Sequence, residues 1–317
     1  MTDLRRAVET EYAFKPAKIS ALNRFLLKGG QGEMVDSVRV TPRGFEHDRE
    51  FMAVDETGMM LTQRKDPKLA LIATHFVDVG NIVSMSVNGG SEVVFDVLHQ
   101  GKTLQTTVHS STGLRSVDQG DLAAEFASEV LGKKTRIVRL ANDYQRIIKP
   151  EYASAIPLGV SNQVGFADGA AISIASEASL AQLNLWVQED TPGYPPISFR
   201  NFRTNIEVDS FGGPFYEDQI LVAQIGDSLR LHLPWLNARC VVTTRQKDGS
   251  NNPKISEFIE TKQKNAMQPL FSLHNHRDME YWPGKTGDLF GVNAQPAFLI
   301  DNPIISIGDK VNVIQVR

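Results

Sequence analysis

A β-rich α+β chain in two modules with a few helices, divided near 140–160, is what this sequence predicts. Three observations point there. Short apolar runs alternate with turn residues over most of the 317 positions. Only two stretches carry a clear helical period. A polar, charged segment, ANDYQRIIKPEYAS (141–154), separates the two halves.

The elements follow in chain order. FMAVDETGMMLT (51–62) is two apolar runs around Asp55-Glu56-Thr57-Gly58, a hairpin signal. VSMSVNGGSEVVFDV (83–97) is a second hairpin, with Asn88-Gly89 supplying the positive-φ turn residues. DLAAEFASEVL (121–131) places Leu122, Phe126 and Val130 at four-residue spacing, and Asp121 is the expected cap. In the second half, the apolar run 170–175 predicts a buried strand. Ser176 then caps a helix whose Leu180, Leu183 and Val187 share one face. Strands are expected near 204–208, 219–225, 229–233 and 239–244. IGDSLRLHL (225–233) and IGDKVNVI (307–314) echo each other, each a Gly-Asp turn launching an alternating strand.

Composition excludes several classes. Apolar content of 41% and charged content of 22% are those of an ordinary globular protein. A net charge of −4 offers no bulk attraction to nucleic acid or to an anionic membrane. No apolar run reaches the ~20 residues that span a bilayer. The N-terminal stretch MTDLRRAVETEYAFKPAK lacks the apolar core of a secretory signal, and its acids argue against a transit peptide. One cysteine rules out an intramolecular disulfide framework, a cysteine-rich zinc site and a cysteine-ligated iron–sulfur cluster. A reducing, cytoplasmic setting is expected.

That cysteine, Cys240 in LNARCVVTT (236–244), is the chemical question. It reads equally as core filling, as a nucleophile, or as one thiolate ligand of a metal whose other ligands come from elsewhere. A nucleophile wants a histidine nearby. His232 lies eight positions upstream, and the His274/His276 pair shows no ligand pattern with Cys240. In an alternating strand Arg239 would point away from it. Arginines in turn-rich places, Arg49, Arg64 and Arg203, would form a polyanion site if they converge and are otherwise solvated. LKGGQGE (27–33) fits neither glycine-rich nucleotide template. Asp168 in GFADGA reads as a turn residue before a strand.

Several stretches together nevertheless carry one pattern: ISALNRFLLKGGQGE, TPRGFEHDREFMAVDETGMMLTQRKDPKLALI and VDQGDLAAEFASEVLG in the first half, then ISIASEASLAQLN, NFRTNIEVD, PFYEDQ, IGDSLRL, ARCVVTT, LFGV and IGDKVNV in the second. On these, in this order, the chain resembles the MOSC proteins that carry an N-terminal β-barrel module, the group including the mitochondrial amidoxime-reducing component and its bacterial relatives. The resemblance covers about 18–317 and implies an N-terminal module over 18–140 and a MOSC β-barrel domain over 155–317. It further implies a molybdenum cofactor, with molybdopterin supplying two sulfurs and Cys240 the protein thiolate. It places Lys28, Arg49, Arg203 and Arg239 on the pterin's phosphate tail and Asn205 at its polar edge, with Gly29, Thr62 and Arg64 as further cofactor-binding positions. Asp168 falls beside the metal, to orient substrate or relay protons. The implied activity is reduction of small N-oxygenated or N-hydroxylated compounds. With one cysteine there is no cluster-bearing domain, so electrons are expected from a separate iron–sulfur protein, flavoprotein or cytochrome. A non-catalytic cofactor carrier or sulfur-handling protein is the alternative. The pattern is broken at Gly29, where relatives have serine, at Thr204 for proline, at Ala238 for serine, and in TTRQKDGS, which lacks the usual Asp-Pro.

Overall fold

The computed structural model describes residues 14–87, 90–245 and 267–317. Its centre is a closed barrel of seven strands. Around the ring these are Ile172–Ser176, Ile206–Val208, Ala17–Arg24, Lys310–Val316, Ile220–Ile225, Leu229–Ala238 and Lys285–Phe298, the last pairing back onto Ile172–Ser176. All pairs are antiparallel except Ile172–Ser176 with Ile206–Val208. Closure leaves the barrel without a free edge. The interior is filled by alternate side chains such as Ile19, Ile174, Ile206, Ile225, Leu231 and Val292, all within 1% of full burial.

Although Ala17–Arg24 comes early in the chain, it completes this C-terminal barrel, pairing Ile19 with Val208 and Ala17 with Val311. The chain then crosses into the other module through Phe25 and Leu26 and enters the short strand Leu27–Lys28. That strand edges a five-stranded sheet ordered Thr103–Val108, Ser111–Asp118, Arg136–Leu140, Phe51–Val54, Leu27–Lys28. A second sheet, Ile72–Asp78, Ile82–Val87 and Glu92–Asp96, packs with it on one core that includes Leu27, Phe51, Ile72, Met85, Phe95 and Ile137. A return tie runs the other way: Ile304–Ser306 pairs with Ser37–Thr41. The chain is therefore β-rich α+β, with an N-terminal β module and a C-terminal barrel laced together at both ends.

The expected hairpin at 51–62 forms. Asp55 N–H donates to Met59 O at 3.0 Å and Leu61 N–H to Ala53 O at 2.8 Å. Gly58 is required there: φ is +80°, and a Cβ would lie 2.2 Å from Gln105 O. The second hairpin also forms, while its turn, Asn88-Gly89, lies outside the described residues. The helix Asp121–Leu131 has the expected span but a different buried face. Ala123, Ala124, Phe126 and Ala127 face the sheet, whereas Leu122 is exposed. Small alanines let the helix approach the strands closely, which a four-residue leucine spacing does not reveal. The cap position is Gly120, and Asp121 instead pairs with Arg136 at 2.7 Å. In the second half Ser176 caps the helix Glu177–Asp190 as expected, accepting from Ser179 N–H at 3.1 Å. The buried Glu217 carboxylate takes the Ser176 and Ser179 hydroxyls at 3.0 and 2.7 Å.

One local expectation fails. Residues 239–244 are not a strand. The barrel strand ends at Ala238, and Val241–Thr244 is a 3-10 turn with Cys240 as its extended N-cap. The hydroxyls of Thr243 and Thr244 donate to the carbonyls of Cys240 and Val241 at 2.9 and 2.7 Å, closing the turn against strand continuation.

Candidate functional site

Between the two modules lies a cavity of about 520 Å³. Lys28, Gly29, Arg49, Thr62, Arg64, Asp168, Arg203, Asn205, Arg239 and Cys240 all line it, so the ten positions singled out in the sequence are brought together. They come from separate elements. Lys28 ends the edge strand, and Arg49 precedes the strand Phe51–Val54. Thr62 and Arg64 follow the first hairpin. Asp168 lies in the segment before Ile172–Ser176, Arg203 and Asn205 between the short helix Phe199–Phe202 and the strand Ile206–Val208, and Arg239 and Cys240 at the end of Leu229–Ala238.

Because the strand stops at Ala238, Arg239 and Cys240 face the same cavity rather than opposite faces. The nearest polar partner of the Cys240 sulfur is a guanidinium, with Arg64 Nη2 donating to Sγ at 3.2 Å. His232 and the His274/His276 pair do not line the cavity. His274 lies 3.0 Å from Asp288, and His276 stacks on Trp186 at 4.5 Å. His109 does line the cavity, but its hydrogen-bond partner is Asp168 and that of the Cys240 sulfur is Arg64, so no histidine–thiol pair is seen among the described residues.

The cations divide by how their charge is met. Lys28 Nζ pairs with Asp168 and donates to Phe166 O at 2.8 Å. Burial lowers the Lys28 pKa, with the Asp168 carboxylate opposing that effect. Arg49 pairs with Asp48 and donates to Arg203 O at 3.1 Å. Arg203 and Arg239 bond only to carbonyls: Arg203 to Gly30 O, Arg239 to Phe290 O at 2.8 Å and Phe202 O at 2.9 Å. One guanidinium nitrogen of each, Nη2, is sealed from water without an acceptor. Burial, with the nearby Arg49 adding to it in each case, depresses both pKa values to about 9. Among the described residues, six cationic side chains, Lys28, Arg49, Arg64, Lys149, Arg203 and Arg239, line the cavity against the single carboxylate of Asp168. Such a surplus in a partly enclosed space suits an anionic group of phosphate type.

Backbone geometry supports the arrangement. Arg49 and Arg203 both adopt left-handed φ, +48° and +56°. Non-glycine residues rarely do so, and such conformations cluster at functional sites. Their guanidiniums also pack on the Phe25 ring, 4.4 and 4.3 Å from its centroid. Gly29, at φ +83°, accepts from Gln63 Nε2 at 2.6 Å through its carbonyl. A serine there would be strained, which accounts for glycine at this position. Gly291 is forced as well, since a Cβ would stand 2.8 Å from Ile174 O and 3.4 Å from Arg239 Nη2.

Asn205 lines the cavity, but its amide ties strands together. Oδ1 accepts from the Ser173 N–H and hydroxyl at 3.2 Å each, and Nδ2 donates to Asn23 O at 3.1 Å. Thr204, buried beside it, has an unpartnered hydroxyl. Sequence reasoning missed Phe25 and His109. Phe25 sits in NRFLLKGG, where only an aromatic between two prospective cation positions hinted at stacking. His109 sits in the turn VHSS with no signal at all.

Comparison with known proteins agrees with this layout. The MOSC N-terminal beta barrel domain matches residues 16–134 and the MOSC domain residues 161–312. The chain belongs to the MOSC family of proteins that carry this N-terminal domain. Among relatives, mitochondrial amidoxime reducing component 2 of Bos taurus is 27% identical over 86% of this chain and 77% of its own length. Mitochondrial amidoxime-reducing component 1 of Homo sapiens is 25% identical over 90% of this chain and 79% of its own. A molybdenum cofactor sulfurase of Danio rerio is 27% identical over 85% of this chain but only 31% of its own length, so the chain spans about a third of that relative. These relatives support a role associated with the molybdenum cofactor. Among the described residues, no helix is long and apolar enough to cross a membrane.

Proposed function

We propose that the protein is a molybdenum-cofactor-dependent reductase of small N-hydroxylated or N-oxygenated compounds, drawing electrons from a separate iron–sulfur protein, flavoprotein or cytochrome. The observation that carries this reading is the surplus of cationic side chains converging with the only cysteine in one cavity. The residues fit the group. The two sealed, acceptorless guanidinium nitrogens of Arg203 and Arg239 call for an anion, and a lone thiol suffices where the cofactor brings the other sulfurs. Molybdopterin with its metal, when bound, supplies the two-electron, oxygen-abstracting chemistry.

The chain's own residues do the rest. Cys240 is the thiolate ligand. Arg203 and Arg239 hold the phosphate tail, with Arg49 beside Arg203 on the Phe25 ring and Lys28 nearby in the same cavity. Arg64 donates to the sulfur and holds its orientation in the cavity. Gly29, Thr62 and Asn205 set the backbone on which these groups sit. Asp168 remains ionised: burial opposes this, but Lys28 and His109 hold its carboxyl well below the usual carboxylate range. A lone free thiol suits a reducing compartment, cytoplasmic in our reading.

Protein purified from a host that makes the cofactor should contain close to one molybdenum per chain and reduce benzamidoxime or an N-hydroxylated base with an artificial donor. The sulfurase relatives favour a second reading, a cofactor carrier or sulfur-handling protein. Molybdenum without turnover would select that reading, and absence of molybdenum from such a preparation would contradict both.

A further inference from the structure

Cleaving the N–O bond of an N-hydroxy compound takes two electrons and two protons. The oxygen leaves as water, taking up one proton, and the nitrogen gains the second from solvent as a new N–H. The electrons come from the external redox protein, and one proton must meet the departing oxygen inside the cavity. Among the described residues Asp168 is the only carboxylate lining it, and one of its oxygens is engaged by two side chains. Lys28 pairs with Oδ1, and His109 Nε2 lies 2.9 Å from the same atom. His109 is the only histidine among the cavity-lining residues.

The hairpin that presents His109 is built for reach. The residue sits between the strands Thr103–Val108 and Ser111–Asp118 at φ +52°, a left-handed conformation that a histidine adopts at some cost. The pairing register shifts between Thr106 and Val108, just before the tip. Arg146 braces the contact from the other side. Its Nη1 donates to Gly165 O at 2.8 Å and Ala167 O at 2.5 Å, and its Nη2 to the Ser111 hydroxyl at 3.4 Å. One buried arginine thus ties the His109 hairpin to the segment that ends in Asp168. The other charged groups around the pair are the cations Lys28, Arg49, Arg146 and Arg203, with the Asp48 carboxylate held by Arg49.

We propose that His109 is the general acid of the reduction, donating a proton to the oxygen that leaves nitrogen, with Asp168 positioning its ring and Lys28 pinning Asp168. This rests on the reductase reading above. Asp168, kept ionised by Lys28 and His109, is then a positioning residue and not the proton carrier. The imidazole takes a proton from solvent at the cavity mouth after each turnover; its side chain is 25% exposed.

Three measurements test it. In the molybdenum-loaded protein, His109→Gln should lower kcat by about a hundredfold or more with metal content and KM little changed. Added imidazole should restore part of the rate to His109→Ala. In the unloaded protein, nitrogen NMR should find the His109 ring in the Nε2–H form, and Asp168→Ala should release it to a mixture of tautomers. A kcat for His109→Gln within about threefold of the parent, or ring tautomers indifferent to Asp168→Ala, overturns the assignment while leaving the reductase reading intact. A parent protein that holds molybdenum but reduces no N-hydroxy compound overturns both.

Discussion

The two walls of the cavity are charged alike but neutralised differently. On the N-terminal wall every cation has an anionic or sulfur partner: Lys28 has Asp168, Arg49 has Asp48, Arg64 has Cys240. On the barrel wall, Arg203 and Arg239 bond only to carbonyls and each keeps a sealed nitrogen without an acceptor. A buried charge without a hydrogen-bonded counter-ion is unfavourable; for Arg203 the carboxylates of Asp48 and Asp168 offset part of that cost through space. The lesson is a division of labour. In our proposal the barrel-side arginines meet the anionic ligand, while the other module contributes cations that are already paired.

Substitution breaks or sharpens this contrast most directly. Arg203→Met or Arg239→Met should reduce retained molybdenum cofactor by about ten- to a hundredfold, the worth of one or two charged hydrogen bonds, while Arg49→Met should cost less than about tenfold. Metal and pterin content of equally purified variants checks this. Equal losses on both walls would erase the distinction. Gly291→Ala should come next. Its Cβ would press Ile174 O and Ala175 Cβ at φ +70°, so destabilisation of about 2 kcal/mol is expected by urea unfolding, with cofactor loss through the displaced Arg239.

A gentler test uses pH. In the unloaded fold Arg203 and Arg239 have pKa values depressed to about 9, below those of the unfolded chain. The unfolded state therefore binds more protons above pH 9, and the charge penalty, fully present below that pH, is relieved as pH rises through it. Pyrophosphate, which meets those charges, should raise Tm most near neutrality and progressively less above about pH 9. A Tm gain that grows with pH would have the wrong sign. The smallest effect is expected far from the cavity. Ser176→Ala removes a helix cap and a Glu217 partner at a cost of about 1 to 2 kcal/mol, read by urea unfolding, with cofactor content unchanged.

Much of this was legible before the structure, for identifiable reasons. Hairpins and the Ser176 cap follow from local turn and capping chemistry, which sequence states directly. The cations and Cys240 were legible as types, because phosphate and soft-metal chemistry need few residue kinds. Their convergence was not, since it depends on Ala17–Arg24 leaving its neighbours in sequence to complete a distant barrel, pairing Leu22 with Ile206 and Ala17 with Val311. The direction of Cys240 was misread because strand alternation was extended past Ala238. The two threonine hydroxyls that end the strand were in plain view in CVVTT. His109 stayed hidden because its importance lies entirely in one contact with a residue from another module.

The most direct measurement is molybdenum and pterin content of the parent and of Cys240→Ala, both purified from cofactor-replete cells and shown to be folded. The parent should carry near-stoichiometric metal with pterin, and the variant should lose most of the metal and all N-hydroxy reduction. A variant that keeps its molybdenum and its full rate would contradict the account.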